Sequence, residues 1–151
     1  METKRTNNNS VVNQLNNVLA DLQVVYQNMR TMHWLVKGPD FYQLHKMYEG
    51  FYTELADVVD DVAERILTLG GVPYHQFSEY LDQTSVEPVA EVPRGKENLK
   101  IAVENFEHLL GEYREVHEAA SNSGDEGTVT LFSELIASAE KKLWMLNTTL
   151  S

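Results

Sequence analysis

The four prolines, Pro39, Pro73, Pro88 and Pro93, decide what this chain can become. Proline stops a helix because it has no amide proton and its ring collides with the preceding turn. All four fall in the middle of the chain, so the flanking stretches rich in Leu, Val, Ala and Glu are free to run long. A first helix is expected from about Ser10, a suitable N-cap, to Val36, with Leu15, Val18, Leu19, Leu22, Val25, Tyr26 and Met29 at helical spacing. Lys37-Gly38-Pro39-Asp40 ends it. A second helix runs from Asp40 or Phe41 to Leu69 and stops at Gly70-Gly71. Val72 to Arg94 read as loop, with a short helix near His75 to Leu81. A third helix fits Lys96 to about Ala120, Asn122-Ser123-Gly124-Asp125 make a turn, and a fourth fits Glu126 to Leu150. The expected fold is all-α: a four-helix bundle with a short helix in the long crossover between helices two and three. Residues 10–151 form one domain and residues 1–9 a flexible tail. Such a bundle alone names no function.

At 151 residues the chain can bury a full core without staples. It has no cysteine, so disulfides, iron–sulfur clusters and thiolate zinc sites are excluded, and any metal must be held by nitrogen and oxygen. No stretch approaches a membrane span, and METKRTNNNS lacks the apolar core of a signal peptide, so a cytoplasmic protein is expected. With 12 Lys+Arg against 23 Asp+Glu, the net charge of −11 repels nucleic acid and attracts cations. Proteins unconnected with metals are often as acidic.

The second helix is the most informative. At about 100° per residue, Phe41, Leu44, Tyr48, Phe51, Tyr52, Leu55, Val58, Val59, Val62, Ile66 and Leu69 share the core face. His45, Glu49, Asp60 and Glu64 share a different stripe, interspersed with the small residues Thr53, Ala56 and Ala63. Small residues let another helix come close, which points to a second subunit; for any one carboxylate pair alone an ordinary solvated face is the better explanation. His45 and Glu49 are four apart and can reach one ion, as can Asp60 and Glu64. The two pairs, fifteen residues apart, lie ~22 Å from each other along a helix and cannot share an ion within one chain. Two copies packed antiparallel about a twofold axis would bring the pairs together, giving two identical mixed sites.

His33 ends the first helix and His45 opens the second, so both stand at one end of the hairpin. Imidazole with carboxylates suits iron, zinc or manganese. No Glu-x-x-His occurs in the chain, which argues against an ordinary di-iron centre inside one bundle.

His33-Trp34-Leu35-Val36-Lys37-Gly38-Pro39-Asp40-Phe41, Leu44-His45, Asp60-Asp61-Val62-Ala63-Glu64-Arg65, Gly70-Gly71 and Glu140-Lys141-Lys142-Leu143-Trp144-Met145-Leu146, in that order, resemble the signature of the Dps family, the miniferritins. The resemblance spans nearly the whole chain. It implies a hollow homododecamer that binds Fe(II) at dimer interfaces, oxidises it, usually with hydrogen peroxide, and stores the ferric product. By position His33 and His45 match the family's histidine ligands from one subunit, and Asp60 and Glu64 its carboxylate ligands from the neighbour. Glu49 stands where many members carry Asp. Gly124 to Leu131 resemble the stretch lining the family's threefold pore, with Thr130 in place of a common aspartate; Asp125 and Glu134 are the candidate acids there, although a helix-start charge explains Asp125 equally well. Trp34 matches a tryptophan near the family's iron site that absorbs stray oxidising equivalents, while packing is the ordinary use of such a residue. Trp144 and the tyrosines of the second helix read as core, and His75, His108 and His117 as surface or structural residues. Only Lys4 and Arg5 offer positive charge in the tail, so DNA binding is expected to be weak or absent. The alternatives are a non-catalytic or zinc-binding cage and a metal-free helical interaction module.

Overall fold

The computed structural model describes residues 2–151, with side chains from Ser10 onward. Its order is α1 (Glu2–Leu35), α2 (Phe41–Thr68), α3 (Phe77–Gln83), a 3-10 turn at Gly95–Glu97, α4 (Asn98–Asn122) and α5 (Glu126–Leu150). The four long helices pair as two hairpins, α1 with α2 and α4 with α5. The expected all-α bundle with a short helix in its crossover is what is found. α1 begins at Glu2, so Ser10 lies within the helix and is not its N-cap, and the expected flexible tail, residues 1–9, lies outside the residues whose side chains are described. The third long helix starts two residues later than expected because Gly95, with φ at 65°, and the 3-10 turn take up Lys96 and Glu97.

The core face read from α2 is the one buried. Leu44, Tyr48, Leu55, Val58, Val62 and Ile66 are buried, and Phe41, Phe51, Tyr52, Val59 and Leu69 pack partly against them. They meet Leu15, Leu19, Leu22 and Met29 of α1, Leu99 and Leu109 of α4, and Phe132 of α5. Fully burying one such side chain stabilises the fold by about 1.5–3 kcal/mol. Two expectations fail. Trp144 is 65 % exposed and Tyr42 85 % exposed, because each lies on the outward side of its helix. Large apolar residues left outside a single chain are the raw material of contacts between chains.

Polar residues buried within the apolar stripe of α1 hold the crossover, which has little apolar surface of its own. Asn16 donates to the Val72 carbonyl at 3.1 Å and accepts from the Tyr74 amide at 2.8 Å. Asn28 donates to the Glu87 carbonyl at 3.1 Å and to Asn105 Oδ1 at 2.9 Å, and accepts from the Val89 amide at 2.9 Å. Asp21 accepts from the Thr84 hydroxyl at 2.6 Å and the Ser85 amide at 2.8 Å. Crossover backbone groups that would otherwise be costly to enclose are thereby paired.

Candidate metal centre

α1 ends at Leu35 and α2 begins at Phe41, so the reversal is made in five residues. Gly38 makes it possible with φ at 122°, a value other residues rarely adopt. The turn places His33, in the last turn of α1, against His45, in the second turn of α2. Their rings stack with centroids 3.7 Å apart and planes at 15°. Each ring is tied to the other's backbone: His33 Nδ1 lies 2.6 Å from the His45 carbonyl oxygen and His45 Nδ1 lies 2.7 Å from the His33 carbonyl oxygen. A carbonyl can only accept, so both Nδ1 atoms carry the proton and donate. With Nδ1 donating, the lone pair of a neutral ring is on Nε2, the arrangement that hydrogen-bonded carbonyls impose on metal-binding histidines. The His33 carbonyl lies among the last four of α1, which have no partner within an ideal helix, and His45 supplies one. Tyr52 stands edge-on to His33 at 5.2 Å and Phe41 stacks on His45 at 4.9 Å, fixing both rings from outside.

The carboxylates of α2 are set differently. Glu49, Asp60 and Glu64 are exposed, and none forms an ion pair among the described residues. Glu54 of the same helix, by contrast, accepts from Ser138 and Lys142, each at 2.7 Å. The stripe identified in the sequence is therefore the side of α2 that the chain leaves uncovered. His45 and Asp60 lie ~22 Å apart along it by helical rise. The chain brings His33 and His45 together and holds Asp60 and Glu64 away from them.

The remaining candidates are placed as follows. Asp125 is the N-cap of α5: it accepts from the Thr128 amide at 3.2 Å and the Thr128 hydroxyl at 2.5 Å, and pairs with Arg65 at 2.6 Å. Burial raises its affinity for a proton, but the Thr128 and Arg65 contacts outweigh this and hold the carboxyl below its ordinary value. Gly127 leaves room for the guanidinium, since a Cβ there would lie 2.6 Å from Arg65 Nη2. Thr130 and Glu134 are exposed on α5. Trp34 is 55 % exposed rather than packed in the core, with the Arg30 guanidinium 4.9 Å above its ring.

Sequence reasoning passed over one grouping. His108 is neither isolated nor merely exposed: it faces Asp21 and Glu112, with one potential ligand atom from each of the three within 4.8 Å of the others. The i,i+4 spacing of His108 and Glu112 was legible, but the contribution of Asp21 from a distant helix was not.

Comparison with known proteins agrees with this architecture. Residues 12–151 match the family described as Ferritin-like domain. The DNA protection during starvation protein of Porphyromonas gingivalis is 42 % identical over 137 residues, covering 91 % of this chain and 86 % of that one. DNA protection during starvation protein 2 of Bacillus anthracis is 36 % identical, covering 95 % of this chain and 99 % of the other. The crystal structure of the Dps protein of Vibrio cholerae, described as a member of a broad superfamily of ferritin-like diiron-carboxylate proteins, superposes with a TM-score of 0.94 at 40 % identity, covering 97 % of this chain and 92 % of that one. The chain belongs to the Dps family of ferritin-like proteins.

Proposed function

We propose that the protein is a ferroxidase and iron store, assembled as a twelve-subunit cage with its oxidation sites at twofold interfaces. The observation that carries this reading is the His33–His45 corner: two imidazoles oriented as Nε2 donors, with Asp60 and Glu64 of their own chain too far along α2 to reach them. The exposed Asp60 and Glu64 of a second copy supply the oxygen ligands, and Glu49, one turn after His45, adds a further oxygen at the same end. This nitrogen and oxygen donor set suits Fe(II), the substrate. Two Fe(II) ions each give up one electron; hydrogen peroxide takes both, its O–O bond breaks, and two protons complete two waters. Consuming the oxidant in one two-electron step avoids releasing hydroxyl radicals. Trp34 lies one residue from His33, and we assign it the interception of stray oxidising equivalents.

The ferric product is stored within the cage, protecting the cell against oxidative damage. Among the described residues no helix is long and apolar enough to cross a membrane. We place the protein in the cytoplasm. The acidic balance of the chain, repeated over twelve copies, disfavours contact with the phosphates of DNA. Of the two acids matched to the route by which iron enters, the exposed Glu134 is assigned to it, whereas the Asp125 carboxylate is engaged by Arg65 and Thr128.

The test is ferrous oxidation by metal-free protein with stoichiometric peroxide, in the absence of oxygen. The wild-type protein is expected to oxidise iron well above the buffer rate and retain it in a soluble particle. His33→Ala/His45→Ala should lower the rate by at least about 100-fold while leaving assembly intact. Equal rates in the two proteins would remove the reading.

A further inference from the structure

Asp21 of α1 and His108 and Glu112 of α4 converge where the crossover passes through Thr84 and Ser85. His108 Nε2 lies 2.9 Å from Asp21 Oδ2 and 3.4 Å from Glu112 Oε1. Neighbouring ligand atoms of a tetrahedral site with bonds of about 2.0–2.1 Å stand roughly 3.3 Å apart, so these separations need little adjustment to surround an ion. Ser85 Oγ lies 3.0 Å from the same Nε2 and 3.2 Å from Asp21 Oδ2, placing a further oxygen beside the three. His108 and Glu112 share a helix face by their i,i+4 spacing.

The charge balance points the same way. The Asp21 side chain is 1 % exposed, and Glu112 Oε2 is enclosed without a hydrogen-bond partner. No Lys or Arg pairs with either carboxylate among the described residues. One imidazole cannot offset the buried Asp21 and the partly enclosed Glu112 when both are ionised, and uncompensated buried charge is costly. The group is also reachable: the His108 side chain is 35 % exposed and lines an open groove of about 450 Å³ with Glu87, Glu91 and Glu104, an approach that favours cations.

We propose that Asp21, His108 and Glu112 form a second cation site, complete within one chain, that takes a divalent first-row transition ion such as Zn²⁺. Three protein ligands of this kind with an open position suit such an ion. Through Asp21, the ion ties α1 and α4 to Thr84 and Ser85 of the crossover. The site does not depend on the proposed oxidation chemistry.

Zinc bound per chain, measured on the intact metal-stripped protein after equilibrium dialysis, tests the assignment. His108→Ala/Glu112→Gln is expected to hold one ion fewer per chain than the wild type and to oxidise Fe(II) at an unchanged rate. His33→Ala/His45→Ala should retain the second ion while losing oxidation. An anomalous difference map at the zinc edge should place that ion between Asp21 and His108. If the double variant fails to fold, the volume-preserving Glu112→Gln alone should weaken zinc at least about tenfold. Equal zinc content and affinity in folded variant and wild type, or a map with no peak between these residues, would overturn the proposal.

Discussion

At the α1–α2 corner two imidazoles lie stacked, both Nδ1 atoms committed to backbone carbonyls, and Asp60 and Glu64 stand about four turns or more away on the exposed side of α2. At the α1–α4 contact a single imidazole faces two carboxylates of its own chain within hydrogen-bonding or ion-pairing distance. The donors are alike, but the completeness differs. Under the proposed function the first grouping is completed by another copy of the chain, whereas the second has its donors within one chain. Donor type says which ions a protein can hold, whereas topology decides whether holding them depends on assembly.

The sharpest way to break this contrast is complementation. Chains carrying His33→Ala/His45→Ala and chains carrying Asp60→Asn/Glu64→Gln should each be inactive as homogeneous assemblies. Refolded together they should recover activity, because every mixed dimer regains one site with intact histidines from one chain and intact carboxylates from the other. Oxidation rate against mixing ratio measures this, and no recovery in verified mixed assemblies would place the whole site inside one chain.

Smaller effects sharpen the contrast from the structural side. Asn28→Ala removes the side chain that pairs with Glu87, Val89 and Asn105. It should cost about 3 kcal/mol in denaturant unfolding, since enclosed polar groups lose their partners. Tyr48→Phe removes only the hydroxyl that donates to Asn98 Oδ1 at 2.5 Å and should cost about 1 kcal/mol by the same measurement. Asp125 has the mildest effect, and it is pH-dependent. Its folded carboxyl is held below the unfolded value of about 3.9, so its stabilising contribution is present above that pH and lost as pH falls through the lower folded value. The stability gap between wild type and Asp125→Asn should therefore be open at pH 7 and narrow steadily below about pH 4. A gap independent of pH would mean that the carboxylate's charge contributes nothing there.

Much of this was legible in the sequence because helical periodicity is a local property. The positions of Pro39 and Gly70 fix both ends of α2, and its apolar face predicts which residues the bundle buries. The proximity of His33 and His45 followed from a short turn between antiparallel helices. What could not be read depends on partners distant in sequence. Asn28 and Asp21 look like interruptions of an apolar stripe until the crossover backbone is seen to need donors and acceptors there. Trp144 reads as core by residue type, yet its position on α5 turns it outward, and nothing local distinguishes a face that packs within a chain from one left for a neighbour. The stacking and reciprocal bonding of the two histidines likewise needed the three-dimensional turn.

That reciprocal bonding has a bearing on repeated use. Because folding itself holds both rings in place, an ion bound there under the proposed function would leave its nitrogen donors oriented as it found them. The next ion would meet a prepared pair rather than two wandering side chains, the cost of ordering them having been met once, when the chain folded. A corner built in this way suits traffic, in which many ions pass through in succession, more than permanent residence by one.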